Sequence, residues 1–520
     1  MALDSLSEQY YLKIGKASDL KIFKERLIYR LLEILPGFLS WLTLFLILFF
    51  SWKEPVWVSV FVIMFVIYWL FRTIYLSFHL WSGYKRMIIH EKENWIQRLK
   101  DFKAQDWRGI YHLVVLPFYY EPLDIIRESL KALSNSDYPK DRMIVVLAGE
   151  ERAGEGGKMV ARILESEFKD VFFKFLVTWH PVNLKGEIIG KGANESWATR
   201  RVKELIIDQL NIDYKNIIVS SLDADTVVFS GYLSCLTYHY LTAKKPDRTS
   251  FQPIPLFINN IWQAPFLSRI FAFSSTFWHI MTQERPEKMI TFSSHSMSFK
   301  ALVDVDFRQV NVVSDDSRIF WQCFLRYDGD YQVLPLYYPI SMDANVSVNL
   351  KQTIINLYKQ QRRWAYGVAD IPYFLFGFLK NKKIPLNKKF SLSMELIEGH
   401  WSWATASMMI FLLGWMPIIL GGPSFSQSLL SFSVPKITSQ ILTIGMIGLV
   451  VSAYFSLILL PPKPPKYGRF KYVFFAVGWL LVPVIMVFFT SIPAFEAQTR
   501  LMVGKYLSFW PTEKIRKKKY

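Results

Sequence analysis

Residues 217–225 read Ile-Ile-Val-Ser-Ser-Leu-Asp-Ala-Asp and indicate a buried β-strand that ends in two carboxylates. In a strand, side chains two positions apart point to the same side. Asp223 and Asp225 would then reach one spot at the exposed end of the strand. Two carboxylates so placed suit a divalent cation that carries a diphosphate. Asp-x-Asp is also common in ordinary loops. Other motifs of the chain are therefore needed to distinguish a metal-binding site from a loop.

The composition is that of a membrane protein. Of the 520 residues, 52% are hydrophobic and 17% aromatic. Five stretches without a charged residue approach the roughly 20 residues that a helix needs to cross a bilayer. They lie at 35–51, 56–70, 403–420, 437–460 and 472–492. Buried core helices are the alternative, but the length of the stretches and their flanking aromatic residues favour spans. The first stretch lies too far from the N-terminus for a signal peptide, so we expect a retained anchor.

The net charge of +18 fits the same location. Nucleic-acid binding would also account for this charge. Basic residues, however, concentrate on the cytoplasmic flanks of membrane spans and attract anionic lipid headgroups. We therefore expect membrane lipid, and no nucleic acid, as a partner. Basic residues before the first stretch predict a cytoplasmic N-terminus and middle region, in a multi-pass protein of the plasma membrane. They are Lys13, Lys16, Lys21, Lys24, Arg26 and Arg30. Three later spans would put the C-terminus outside, whereas the basic tail 514–519 favours the inside; the sequence leaves this conflict open.

The region between the second and third stretches has the pattern of an α/β domain. Apolar runs at 112–116, 143–148, 171–178 and 216–222 alternate with amphipathic segments at 124–133, 156–168 and 194–209. Such alternation predicts a mostly parallel sheet. Ligands of these sheets bind beyond the carboxyl ends of the strands, which is where Asp223 and Asp225 fall.

The chain is thereby divided into four parts. An N-terminal segment with a transmembrane hairpin covers 1–81, the α/β domain 82–345, interfacial helices 346–402, and C-terminal spans with a basic tail 403–520. The segments 353–364, 371–378 and 392–398 are too short to span and are expected to lie in the membrane interface. Two cysteines, Cys235 and Cys323, exclude a disulfide framework and give no support to a zinc site made of cysteines.

Two motifs of the α/β domain suit a nucleotide. Pro117 ends the first strand, and Tyr119 and Glu121 either contact a nucleoside or form a simple turn. Gly-Lys-Gly-Ala-Asn at 190–194 opens a helix, whose N-terminus favours an anion such as a diphosphate, with Lys191 adding a positive charge. A capped helix after a glycine turn is the alternative.

Two later motifs are equally open. Ser-Asp-Asp-Ser at 314–317 supplies either an N-cap and helix-dipole partners or a general base. Gln-Gln-Arg-Arg-Trp lies at 360–364. Its arginines either reach lipid phosphates or form, with Trp364, a platform for a sugar or base and its diphosphate.

In their order along the chain, these five motifs resemble those of the membrane-integrated family-2 glycosyltransferases. That family includes the cellulose, chitin and hyaluronan synthases and the ceramide glucosyltransferases. The resemblance runs from residue 114 to residue 364, with the flanking spans. It implies a GT-A fold, a nucleotide-sugar donor and a Mg²⁺ or Mn²⁺ ion.

The resemblance also implies roles for single residues. Pro117, Tyr119 and Glu121 would line the nucleoside pocket. Lys191 would lie near the uracil or the diphosphate, and Asp223 would contact the nucleotide.

The remaining roles concern the chemistry and the acceptor. Asp225 would hold the metal, and Asp316 would be the general base. Gln360, Arg363 and Trp364 would bind the diphosphate and the acceptor end.

The chain departs from the family pattern in three places. Ala-Gly-Glu-Glu at 148–151 stands where relatives carry an Asp-Asp-Gly-Ser-like element, so Glu150 or Glu151 would replace the aspartate that contacts uracil. Ser314-Asp315 replaces Thr-Glu ahead of the base. Phe-Trp-Pro-Thr-Glu-Lys at 509–514 resembles the Phe-x-Val-Thr-x-Lys gating loop of some synthases, with Pro511 in place of valine. That loop is cytoplasmic in the family, which supports the inside location of the C-terminus that the basic tail indicates.

The expected function is an inverting transfer of a sugar from a nucleotide-sugar, of which a UDP-sugar is favoured, to a glycan or lipid-linked acceptor. One alternative is a processive polysaccharide synthase that also exports its polymer. The other is a membrane protein without enzymatic activity whose domain only binds nucleotides.

Overall fold

The α/β domain is built on one sheet. The computed structural model describes residues 9–465, 467–468, 470–511 and 515–516, and eight strands are found among them. The strands are β1 (Tyr111–Phe118), β2 (Met143–Glu150), β3 (Lys174–His180), β4 (Ile217–Ser221), β5 (Val227–Val228), β6 (Thr249–Leu256), β7 (Ser296–Ser298) and β8 (Gln332–Ser341).

The sheet has a parallel half and a mixed half. In the order β3-β2-β1-β4-β7-β6-β8-β5, the first four strands are parallel. Strand β7 is antiparallel to both of its neighbours, and β5 is antiparallel to β8. Strands β6 and β8 are parallel. The expected fold class, a mostly parallel α/β domain between membrane helices, is confirmed.

Strand β4 lies in the middle of the sheet, and every one of its residues is buried. It pairs with β1 from Tyr111↔Ile217 to Val115↔Ser221, and β1 pairs with the fully buried β2. Burial on both faces explains the unbroken Val- and Ile-rich runs. The residues after β1, β2 and β4 therefore emerge at the same edge of the sheet.

Helices surround the sheet and continue into the membrane. They are α1 (Phe23–Lys53), α2 (Pro55–Lys92), α3 (Trp95–Asp101), α4 (Leu123–Ser134), α5 (Gly154–Phe168), α6 (Lys191–Val202), α7 (Tyr232–Thr242), α8 (Phe266–Gln283), α9 (Phe299–Asp304), α10 (Asp315–Arg326), α11 (Leu350–Ala365), α12 (Asp370–Lys380), α13 (Leu386–Leu413), α14 (Met416–Leu420), α15 (Gly422–Ser426), α16 (Leu429–Gly445), α17 (Ile447–Ile458), α18 (Phe470–Val477), α19 (Val482–Ile485) and α20 (Ile492–Met502). Short π-helical turns cover Lys203–Ile207 and Met486–Ser491.

Four helical segments of the described chain are long and apolar enough to cross a membrane. They are Phe23–Lys53, Pro55–Lys92, Leu429–Ile458 and Phe470–Met502. The expected stretch 403–420 is not among them, because α13 ends at Leu413 and a separate short helix with Pro417 follows. Proline lacks the N–H group that would continue the helix.

This count bears on the conflict over the C-terminus. Two segments precede the α/β domain and two follow it. If each segment crosses the membrane once, both termini lie on the same side of the membrane as that domain. The contacts of the tail agree with this count. Phe509 packs against the turn at Gly190, and Arg516 pairs with Asp343 of the α/β domain.

Helix α12 was expected in the membrane interface, but most of its residues are buried within the protein. Phe374 stacks on Trp321 of α10 with ring centroids 4.8 Å apart. Arg318 of α10 is fully buried and donates from Nε to Asp370 Oδ1 at 2.7 Å. It also donates to Gln309 Oε1 at 3.0 Å. This pair fixes the start of α10, where the candidate base lies.

We expect Asp370→Asn to lower the free energy of unfolding by about 3–5 kcal/mol, because it leaves the Arg318 charge buried without its partner. Thermal unfolding of the detergent-solubilised chain, followed by tryptophan fluorescence, measures the change. Asp330→Asn is the control, since Asp330 forms exposed pairs with Lys245 and Arg248 and such pairs contribute about 0–1 kcal/mol. Equal unfolding midpoints for the two variants would contradict the role given to the buried pair.

Candidate active site

Three of the five motifs meet at the carboxyl edge of the sheet. Asp223 follows β4, Lys191 begins α6, and Asp316 lies in the first turn of α10. Lys191 Nζ is 2.8 Å from Asp223 Oδ1 and 3.1 Å from Asp316 Oδ1. One ammonium group therefore joins residues that are 32 and 125 positions away in sequence.

The Lys191 side chain is only 12% exposed. Burial alone would lower its pKa, but the negative charges of Asp223 and Asp316 raise the pKa of Lys191 well above its usual value. A third carboxylate, Glu195 Oε1, lies 3.8 Å from Nζ on the next turn of α6. Lys191 is thus a permanent positive charge among carboxylates.

Two glycines let other segments approach this charge. A Cβ at Gly192 would lie 2.7 Å from Asp315 Cβ, so the glycine allows α6 to pack against the start of α10. A Cβ at Gly190, whose φ is +154°, would lie 2.5 Å from Phe509 Cγ. The glycine turn therefore accommodates both the candidate base helix and the C-terminal segment.

Asp223 and Asp225 have different surroundings. Strand β4 ends at Ser221, and Thr226 N–H donates to the Asp223 carbonyl at 2.8 Å. Asp223 and Asp225 therefore lie in a turn after the strand, where strand spacing no longer describes the directions of their side chains. The Asp223 side chain is 25% exposed, whereas Asp225 is 1% exposed and accepts at Oδ2 from the Asp343 N–H at 3.1 Å. The Asp225 carbonyl accepts from Asn259 Nδ2 at 3.0 Å.

Asp316 lies between two cations. Its Oδ1 is 3.1 Å from Lys191 Nζ and 3.7 Å from Arg308 Nη1. Burial would raise its pKa, but the charges of Lys191 and Arg308 hold the pKa of Asp316 below its ordinary value. The carboxylate remains 25% exposed. It is therefore an ionised hydrogen-bond acceptor that is partly exposed to solvent.

Asp315, its neighbour, behaves differently. It is 5% exposed, and burial together with the negative charge of Asp316 raises its pKa to about 7. Its Oδ2 has no hydrogen-bond partner in the described part of the chain. Of the two adjacent aspartates, only Asp316 is thus charged throughout the neutral and mildly acidic range.

The Arg308 guanidinium also contacts two buried side chains. Its Nε lies 2.9 Å from Glu195 Oε2, and its Nη2 lies 3.0 Å from His295 Nε2. Burial and the Arg308 charge lower the pKa of His295 to about 3, so the ring is neutral. Its Nε2 then accepts from Arg308, and Nδ1 donates to the Phe292 carbonyl at 2.7 Å. The sequence motifs missed this support. Glu195 has a weak signal, since it lies one helical turn after Lys191, and Arg308 has none.

The Gln-Gln-Arg-Arg-Trp motif lies at the end of α11. Gln360 accepts from Asn345 Nδ2 at 3.2 Å. The Arg363 guanidinium lies 5.2 Å from the Phe509 ring centre, and its buried Nε has no hydrogen-bond partner among the residues that the structure describes. Burial lowers its pKa, while Asp223, Asp315 and Asp316 act in the opposite direction. Arg363 therefore faces the same carboxylates as Lys191.

Arg362 and Trp364 of the motif are less informative. Arg362 pairs with Glu496 of α20 at 2.7 Å, which is a structural contact to the last span. Trp364 is half-buried.

The end of β1 forms a second group at the same edge. Pro117 pairs with Ala148 of β2. Glu121 Oε2 accepts from the Tyr119 N–H at 2.7 Å, and the Arg152 guanidinium lies 4.0 Å from the Tyr119 ring centre. Arg152 also donates to both oxygens of the buried Glu150, at 2.6 and 3.0 Å. Of the two glutamates that follow β2, Glu150 belongs to this group.

The C-terminal segment crosses the same region. Arg516 contacts Asp343 with Nη2 2.6 Å from Oδ1, and it also pairs with Glu128. Asp343 is the residue whose N–H binds Asp225. Thr512, Glu513 and Lys514 of the expected gating loop lie outside the described residues.

The sequence profile described as glycosyl transferase family group 2 matches residues 218–489. None of the curated proteins matches the chain. Among solved structures, a mannosyltransferase from Pyrobaculum calidifontis in complex with GDP-Man and Mn²⁺ is 15% identical, with a TM-score of 0.40, covering 74% of this chain and 99% of that one. Residues 1–349 of TarS from S. aureus, in complex with UDP-GlcNAc, are 11% identical, with a TM-score of 0.37, covering 72% of this chain and 91% of that one.

Proposed function

Since the chain belongs to glycosyl transferase family group 2, we propose that it is an inverting, membrane-bound glycosyltransferase that moves a sugar from a UDP-sugar to a glycan or lipid-linked acceptor. The observation that carries the proposal is the contact of Lys191 with both Asp223 and Asp316. It brings the nucleotide-side carboxylate and the candidate base to one cleft. Membership of the family leaves no support for the alternative without enzymatic activity.

In the proposed reaction, Asp316 takes the proton of the acceptor hydroxyl. The hydroxyl oxygen attacks the anomeric carbon, and the bond from that carbon to the diphosphate breaks with its electron pair on the leaving oxygen. A base must remain ionised and within reach of the hydroxyl. Asp316 meets the first condition through its lowered pKa and is partly exposed to the cleft.

The departing diphosphate develops negative charge, which fixed positive groups stabilise. We assign this role to Lys191 and Arg363. The guanidinium of Arg363 can bind two phosphate oxygens, and no described residue forms a hydrogen bond with its buried Nε.

The carboxylates after β4 also fit a divalent cation, because Mg²⁺ and Mn²⁺ prefer oxygen ligands. Asp225 would hold the ion with Asp223 beside it. The N–H of Asp343 already orients the Asp225 carboxylate. When bound, the ion would supply further neutralisation of the leaving diphosphate.

We expect Asp225→Asn to weaken metal-dependent nucleotide binding by about 10- to 100-fold or more, since even groups behind the ligands have effects of that size. Titration of UDP in the presence and absence of Mn²⁺ measures the effect by calorimetry. Asp170→Asn, a change at an exposed residue, should behave as the wild type. Equal UDP affinity in Asp225→Asn and wild type, with and without Mn²⁺, would remove Asp225 from the metal site.

Processive synthesis is the second candidate. It is supported by Phe509, which contacts both the glycine turn of α6 and Arg363, because a C-terminal segment in this position can respond to the donor. Product length with one labelled donor separates the two: a ladder of long products supports a synthase, and single addition supports a simple transferase.

The donor base and the membrane orientation are also proposals. Tyr119, with Glu150 and Arg152, offers a stacking face and polar groups for uracil. A panel of UDP- and GDP-sugars offered to the purified protein tests this, and consumption of GDP-sugars alone would overturn it. We place the catalytic domain in the cytoplasm on the basis of the basic N-terminal segment.

A further inference from the structure

Helix α8 carries a buried arginine that has no counter-ion among the described residues. Arg269 is 8% exposed. Its polar contact in the described chain is a 3.3 Å hydrogen bond from Nη1 to the Ala264 carbonyl, and its guanidinium lies 4.0 Å from the Phe475 ring centre. No carboxylate of the described residues pairs with it. Arginine is rarely so buried unless it is paired, because burial of an unpaired charge is unfavourable.

The sequence around this site explains the missing partner. Residues 249–283, which contain α8, and residues 399–495, which contain the last spans, have no aspartate or glutamate. The latter range contains five basic residues, which are Lys436, Lys463, Lys466, Arg469 and Lys471. Four of the five fall within nine positions of one another, in and beside the loop before the last span. The charged residues of these two ranges are therefore all basic.

A second cation and an aromatic wall complete the site. Lys471 lies one helical turn before Phe475, the ring that Arg269 contacts, so the two share a face of α18. The Lys471 ammonium lies 4.9 Å from the Tyr467 ring centre. Trp262 stacks on Tyr467 at 6.0 Å and contacts Phe475 at 5.3 Å. Burial lowers the pKa of Arg269 to about 10, so it still carries its charge at neutral pH.

The site lies where the catalytic domain meets the membrane helices. Arg269 lines a small cavity between α8 and the last two spans, together with Phe273, Ser456 and Trp479. Helix α8 packs closely on the second span, with a Cβ at Gly83 only 2.6 Å from the Ile280 carbonyl. Two cations beside aromatic and apolar side chains match a phosphate group attached to a hydrophobic chain.

We propose that Arg269 and Lys471 bind the phosphate group of a lipid at the boundary of the membrane. The site is separate from the donor cleft and does not depend on the proposed function. It is nevertheless connected to that cleft, because the loop before α8 that contains Trp262 also contains Asn259, which binds the Asp225 carbonyl.

Native mass spectrometry of the full chain, released from an uncharged detergent, tests the proposal. The probes are phosphatidic acid, dioleoylglycerol with the same apolar chains, and inorganic phosphate as competitor. We expect one phosphatidic acid per chain and no retained dioleoylglycerol. Arg269→Gln should reduce retention of phosphatidic acid by at least about tenfold, since truncating one partner of a buried charged contact has effects of that size or larger.

Two variants serve as controls. Lys436→Gln removes one positive charge from an exposed position of the third membrane-spanning segment, and this variant should retain the lipid. Arg269→Lys keeps a charge in the site and should bind more lipid than Arg269→Gln, which separates loss of the phosphate contact from misfolding. Equal retention by wild type and Arg269→Gln would overturn the proposal. Displacement by inorganic phosphate at a concentration equal to that of the lipid would keep the phosphate site and overturn the lipid as its occupant.

Discussion

Asp316→Asn is expected to reduce sugar transfer by about 10²–10⁴-fold, the usual contribution of a general base. The amide has nearly the shape of the carboxylate but cannot take the acceptor proton. Binding of UDP should be little changed, because Asp223 and Asp225 are retained. Turnover of the UDP-sugar that the wild type consumes fastest, compared with UDP affinity by calorimetry, separates the two effects.

The adjacent aspartate provides a matched comparison. Asp315 has a pKa of about 7 and is therefore largely neutral below that pH, so Asp315→Asn replaces one neutral group by another. Its loss of turnover at pH 6 should be far smaller than that of Asp316→Asn. If Asp316→Asn kept wild-type turnover, or if Asp315→Asn were the more damaged variant at pH 6, the assignment of the base would be wrong.

The parallel half of the sheet could be predicted from the sequence, and the mixed half could not. Strands β1, β2 and β4 are apolar runs buried on both faces, which leave a clear signal. Strand β7 has only three residues, two of them serine. Strand β8 contains Pro335 and Pro339, and proline weakens a strand signal because it lacks the N–H group of the ladder. A register shift between Gln252 and Ile254 of β6, beside β8, accommodates an irregular pairing that no local pattern reveals.

The candidate site also has a part that could be predicted from the sequence and a part that could not. Lys191, Asp223 and Asp316 each belong to a sequence motif, and the position of Asp223 follows from the parallel strands that end at one edge. The contact of Lys191 with Asp316 depends in addition on how α10 packs against α6. The support from Arg308 was not predictable, because this residue lies in an irregular segment between α9 and α10 and reaches Glu195 through tertiary packing alone. The difference in burial between Asp223 and Asp225 likewise depends on a turn that strand spacing does not describe.

Lys191→Met should have the second large effect, and it should appear as a change in the pH profile as well as in rate. Lys191 is one of two cations that hold the pKa of Asp316 below its usual value. Without it, the pKa of Asp316 rises. Because the base acts only when ionised, the acidic limb of the rate profile should move to higher pH, and the deficit should be largest at low pH. Loss of a charge that stabilises the leaving group should add about 10²–10³-fold to the deficit at every pH.

The two parts of this effect can be separated by measurement. Turnover of the donor, measured from pH 5 to pH 9, gives the position of the acidic limb. The turnover rate in the plateau, compared with that of the wild type, gives the loss of leaving-group stabilisation. Lys203→Met is the matched control, since Lys203 follows α6 and pairs with Asp208 on the surface, and its profile should coincide with that of the wild type. A Lys191→Met variant with lower turnover but an unmoved acidic limb would show that Lys191 acts on the donor alone. In that case the low pKa of Asp316 would depend on Arg308, which lies 3.7 Å away on the other side.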